Sequence, residues 1–182
     1  MKDYHYFQKI ENAIASHLNL TELKTGIQII RNEKGWRENE IAIEYIWIVE
    51  MSLSFVGWGS IFQIKFKENK FRQYSNEDKL VQGILLFNND GPHEIYFTED
   101  LNTSNEIIKS FNFNLFEANN SITLDGVKYR IRIISKNIDS FLNVNNPSTE
   151  EWKKWETEIW KLGQKLAGQS NNTNMKNLFA LS

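Results

Sequence analysis

The stretch PSTEEWKKWETEIWKLGQKLAG, residues 147–168, decides the fold. Trp152, Trp155, Ile159, Leu162 and Leu166 recur at i, i+3, i+7, i+10 and i+14, which holds these large apolar side chains on one narrow stripe of a helix. Ser148 and Glu151 have the spacing of a capping box just after Pro147, so the helix is predicted to begin there. Both stripe tryptophans are predicted to pack against a sheet. Trp160 falls about 120° from the centre of the stripe, beside Gly163 and Ala167. A large aromatic next to small residues makes a groove, which either widens the buried face or anchors another protein.

The sheet itself is read upstream, where the period changes from 3.6 to 2. Ile41, Ile43, Tyr45, Trp47, Val49 and Met51 alternate along one face of a long strand. The opposite face carries Glu40, Ala42, Glu44, Ile46, Ile48 and Glu50 and is apolar in its middle, the pattern of a central strand covered on both sides. Ile27 and Ile29 lead into an Asn32–Gly35 turn. Phe62, Ile64 and Phe66 alternate with Gln63, Lys65 and Lys67, which predicts a strand with one solvated face. Residues 81–87 and 94–98 flank the turn signal Asn88-Asn89-Asp90-Gly91-Pro92. Asp125-Gly126 predicts a second hairpin, between strands over 122–124 and 127–134. Asn102 to Phe116 reads equally as a short helix or a strand. At the N-terminus, Phe7, Ile10, Ile14 and Leu18 make the buried stripe of a helix from Asp3 to about Leu18.

The predicted architecture is a single α+β domain over residues 1–168: a mainly antiparallel sheet of about six to eight strands flanked by N-terminal and C-terminal helices. Residues 169–182 read as a polar, asparagine-rich tether followed by the apolar segment Leu178-Phe179-Ala180-Leu181. That segment is predicted to dock in an apolar groove, on its own domain, on a neighbouring copy or on a different partner.

Composition narrows the function classes. A chain of 182 residues, 41% hydrophobic, is long enough for one substantial core. Its 21 basic and 23 acidic residues give a net charge of -2, which provides no field to draw it onto nucleic acid or a membrane surface. The absence of cysteine excludes disulfides and thiolate chemistry. Without a continuous apolar segment at its start or long enough to span a bilayer, the chain is expected to be cytoplasmic. Its abundance of asparagine, isoleucine and lysine is read as the codon bias of an AT-rich bacterial or phage genome.

No motif carries chemistry. Gly57-Trp58-Gly59-Ser60 lacks the spacing of a phosphate-binding loop or a nucleophile elbow, and is read as a β-bulge or sharp strand bend, with Trp58 as a recognition residue in the alternative. His93-Glu94, with Asp90 nearby, fails the zinc pattern H-E-x-x-H at Phe97, so neither a metal nor a cofactor is expected. Lys128, Arg130 and Arg132 share one strand face, either as a solvated sheet surface or as a partner-binding row. The expectation is a non-catalytic protein–protein interaction module: a complex subunit of a bacterial or phage assembly, or a small inhibitor of the immunity type. Its partner would be another protein or a second copy of itself, engaged through Trp58, Lys128, Arg130, Arg132, Trp160, Leu178, Phe179 and Leu181. The competing expectation is a hydrolase-like enzyme whose carboxylates and hydroxyls are dispersed in sequence. A deep polar pocket containing carboxylates with perturbed pKa values would favour the enzyme, and a flat aromatic surface the binding module.

Overall fold

A 17-residue strand, Arg37–Leu53, runs through the middle of the molecule. In the computed structural model, which describes residues 4–53, 56–70, 73–74, 78–87, 94–98 and 126–180, the elements follow the order α1 (Tyr4–His17), β1 (Gly26–Arg31), β2 (Arg37–Leu53), β3 (Gly57–Lys70), β4 (Gln73–Tyr74), β5 (Lys79–Leu86), β6 (Glu94–Thr98), β7 (Val127–Ser135), β8 (Ile138–Asn145), α2 (Glu150–Gln169) and α3 (Thr173–Phe179). The sheet has the order β6-β5-β3-β2-β7-β8, with β1 also on β2 and β4 on β3. All of these ladders are antiparallel.

The sheet is an α+β arrangement covered on both faces. On one face, Phe7, Ile10 and Ile14 of α1 bury Ile46, Ile48, Phe62, Ile64, Val81 and Leu85. On the other, Trp152, Trp155, Ile159, Leu162 and Leu166 of α2 bury Trp47, Val49, Met51, Ile61, Ile84, Tyr129 and Ile131. The alternation in β2 breaks in mid-strand, where the register slips between Ile43 and Tyr45. Because side chains alternate with period 2, one extra residue moves everything after it to the opposite face. Ile41 and Ile43 therefore join Ile46 and Ile48 under α1, while Tyr45, Trp47, Val49 and Met51 face α2. The bulge expected at Gly57–Ser60 lies here instead, and β3 is regular from Gly57 to Phe66. The solvated face predicted for β3 is confined to its far end: Gln63 is buried, its amide oxygen accepting from Trp47 Nε1 at 2.9 Å and from the Tyr45 hydroxyl at 3.1 Å.

The β1–β2 hairpin turns where predicted. Asn32 Oδ1 accepts from the backbone of Lys34 and Trp36, and Gly35 supplies the positive φ of +77°. The β5–β6 pairing spans the predicted Asn88–Pro92 turn, which lies outside the described residues. So do 122–124 and Asn102–Phe116. Both edges of β7 are occupied, by β2 and β8, so its hairpin partner is β8. Gly126 has a different role from the predicted turn glycine: a Cβ there would lie 1.6 Å from Asn146 Oδ1, the atom that accepts from Val127 N at 2.9 Å.

Helix α2 starts one residue later than the capping-box reading places it. Thr149 is the N-cap, its hydroxyl accepting from Trp152 N, with Glu150 and Glu151 in the first turn against the positive end of the helix dipole. Where the sequence reads as a tether, Ser170 closes α2 through Leu166 O, and Asn172 opens α3 by accepting from Met175 N at 3.0 Å.

Helix α1 is fastened to the sheet by charge as well as by apolar packing. Arg132, 6% exposed, donates to Glu11 at 3.0 Å and to Asp139. Burial, its largest influence, holds the Glu11 carboxyl above its usual range, whereas the Arg132 hydrogen bond holds Asp139 below it. A raised carboxyl stabilises the fold below its unfolded pKa and loses that contribution as pH rises; a lowered one does the opposite, so the two offset each other in the native chain. Arg132→Met strips Glu11 of its counter-ion. The variant is expected to lose about 3–5 kcal/mol at neutral pH. The deficit should shrink on acidification as Glu11 takes up a proton, as measured by urea unfolding across the acid range. A deficit independent of pH would sink this account.

Candidate functional site

Two features singled out by sequence turn out to be complementary to each other. The groove beside Trp160 and Gly163 is filled by the chain's own Phe179, whose ring lies 5.6 Å from that of Trp160 at 61°. The fit depends on glycine. A Cβ on Gly163 would sit 2.4 Å from Phe179 Cδ1, and one on Gly59 would sit 2.5 Å from Leu178 Cδ2. Leu178 and Phe179 are 3% and 1% exposed, and Asn172 ties the same segment to Glu94 of β6. Leu181 lies outside the described residues.

On its other side Trp160 lines a half-open cleft of about 570 Å³ between α2 and the ends of β2 and β7. Leu53, Val127 and Trp160 supply its apolar surface; Lys153, Glu156, Thr157, Lys161 and Gln164, at helical spacing along α2, supply its polar lip. Beneath it runs a hydrogen-bonded chain. Trp160 Nε1 donates to the Tyr129 hydroxyl at 2.7 Å, Tyr129 donates to Glu156 at 2.6 Å, and Lys153 donates to the second Glu156 oxygen at 2.7 Å. Burial, reinforced by the Glu156 hydrogen bond, pushes the Tyr129 phenol above its ordinary range, so it stays protonated. The exposed amines of Lys153 and Lys161 lie along one lip, paired with Glu156 and Glu158.

The remaining predicted residues lie on the opposite face of the sheet. Arg132 is consumed in the α1 fastening, and Arg130 Nη1 lies 3.3 Å from Glu50, a carboxylate that is itself fully buried. Lys128 sits farther along the same strand, half-buried, opposite Ser52 and Asn145. Arg130 and Arg132, two of the three residues of the basic row, are thus engaged in ion pairs within the chain. Trp58 is half-buried, its ring 6.2 Å from that of Phe87. Next to this row, Ser60 stands opposite Glu50 in register; the Ser60 hydroxyl and the Trp58 indole N–H are buried without a hydrogen-bond partner among the described residues.

Other exposed features have only a faint sequence signal. Ile27, Ile29 and Trp36 of the β1–β2 hairpin are 70%, 40% and 71% exposed. Alternation over Ile27 and Ile29 signals a strand, but nothing local tells which face a helix will cover. Among the described residues, no cluster of His, Asp and Glu is placed to hold a metal ion, and no helix is long and apolar enough to cross a membrane. His93 and Asp90 lie outside the described residues. No protein-family model, curated protein or solved structure matches the chain.

Proposed function

We propose that this chain is a non-catalytic interaction module that seats an extended acidic peptide segment of another protein in the cleft along α2. The observation that carries the reading is the cleft itself, with Leu53, Val127 and Trp160 for an apolar side chain and Lys153 and Lys161 along its lip. From Lys153 to Gln164 the helix runs roughly 16 Å, room for four or five extended residues. The groups suited to proton transfer are already engaged with one another: Glu156 accepts from both Tyr129 and Lys153, and Tyr129 is held protonated. Such a module suits a subunit of a bacterial or phage assembly, or a small inhibitor of the immunity type.

The test is a panel of acidic peptides, each with one large apolar residue, titrated against the full chain and against Thr157→Phe, which fills the cleft, and Lys161→Glu, which reverses its charge. Both positions are exposed, so the fold should be unaffected. Wild-type binding that weakens with salt and falls at least about tenfold in each variant is the expected result. Equal binding by all three proteins, or no binding to any peptide, would remove the cleft as the docking site. One observation favours the hydrolase-like reading, the Ser60 hydroxyl, which stands opposite buried Glu50 and has no hydrogen-bond partner among the described residues. An esterase or amidase activity lost in Ser60→Ala would turn the assignment to that reading.

A further inference from the structure

We propose that the chain forms a two-fold dimer by joining β1 of one copy to β1 of a second, edge to edge. β1 and β7 lie end to end on the same edge of β2, with Gly26 opposite Ile43 and Ser135 opposite Tyr45. β8 covers the outer edge of β7 only from Ile138 onward. Beside β1, the lane that β8 would otherwise continue holds no strand among the described residues, leaving a notch bordered by backbone donors and acceptors.

Apolar side chains gather at this notch. Ile27, Ile29 and Trp36 are on the hairpin, and Ile138, 52% exposed, is at the notch's inner end; Val56 is the other large apolar residue of comparable exposure among the described residues. Natural edges are protected by proline, inward-pointing charge or a covering element. Between Gly26 and Ile30 this edge carries no proline and no charge.

The sequence of β1 selects the occupant and the register. Antiparallel pairing about a two-fold axis through Gln28 sets Ile27 against the second copy's Ile29, twice over by symmetry. A slip of two residues one way sets Ile27 against an arginine, and a slip the other way sets Ile29 against a threonine. A slip of one residue would mate the exposed face with the buried one. In the favoured register the second copy's Arg31 runs up the vacant lane toward Ile138, whose pairing through Ser135 to Tyr45 puts it on the same exposed face as Ile27 and Ile29. Trp36, bonded through its carbonyl to Asn32, travels with Arg31 toward Ile138. A six-residue strand buries less than a standard interface, so the dimer should be concentration-dependent.

Light scattering of the full chain from about 1 to about 100 µM should show monomer giving way to dimer. Ile27→Lys/Ile29→Lys should raise the dissociation constant at least about tenfold without altering the circular dichroism or melting of the monomer. The chain contains no cysteine, so Gln28→Cys places a single thiol beside the axis and should cross-link to its counterpart on mild oxidation, whereas exposed Ala42→Cys, on β2, should not. A monomer throughout the range, a dimer indifferent to the two lysines, cross-linking at Ala42 but not Gln28, open-ended fibres, or a heterologous protein bound at the hairpin of a monomer would each overturn the proposal. Because the peptide cleft lies on α2 and not on β1, its variants test the peptide-binding reading separately.

Discussion

Trp155→Ala is expected to destabilise the fold by about 3–5 kcal/mol, lowering the melting temperature by roughly 10 °C. The indole is fully buried, edge-on to Tyr129 at 5.2 Å and to Trp152 at 5.5 Å, so its removal opens a cavity where α2 meets β7. Relaxation is restricted because Tyr129 is held by Trp160 and Glu156, and the surrounding wall is a hydrogen-bonded sheet. Trp155→Phe keeps an aromatic face in the gap and should cost distinctly less. Urea unfolding of the three proteins measures the ordering. A loss under about 1 kcal/mol for the alanine variant would mean that the helix does not anchor on the sheet through this residue.

Legibility followed the range of the interaction that fixes each feature. The α2 stripe was readable because Trp152, Trp155, Ile159, Leu162 and Leu166 report a local period, and all five are buried where that period places them. The β2 bulge was not. A slip betrays itself when an apolar residue would otherwise fall on a solvated face, and β2 has no solvated face through Ile46–Met51. Ile43 and Tyr45 looked like neighbours on one face while serving opposite cores. Gly126 was misread for a similar reason, since the close approach that demands glycine comes from Asn146, twenty residues away.

The basic row was legible as a row, but the partners of its two arginines were not. Arg130 and Arg132 are neutralised by Glu50 and Glu11 from elements far away in sequence, and no local count of charges identifies such partners. The C-terminal segment shows the same limit. A seven-residue helix with three buried residues does not hold itself in water, and its polar composition argues for a tether. What fixes it is a pair of glycines on β3 and α2 that allow two large side chains to lie against the backbone.

That arrangement yields the other large effect. Phe179→Ala is expected to cost about 3–5 kcal/mol, because the ring fills the space above Gly163 and stacks edge-on with Trp160. Gly163→Leu should be similarly costly by the opposite route: its Cβ alone would lie 2.4 Å from Phe179 Cδ1, so the ring must leave. Two substitutions acting on separate sites would add. These two compete for one volume, so in Gly163→Leu/Phe179→Ala the leucine can occupy what the ring vacated, and the double variant should be more stable than the sum of the single losses by about 1–3 kcal/mol. Urea unfolding of the wild type, both single variants and the double variant measures the coupling directly. Strict additivity would show that Phe179 does not rest on Gly163, and would return the C-terminal segment to the role of a free docking peptide. Coupling of the expected sign makes it an internal latch that seals Trp160 from one side and leaves its other side facing the cleft.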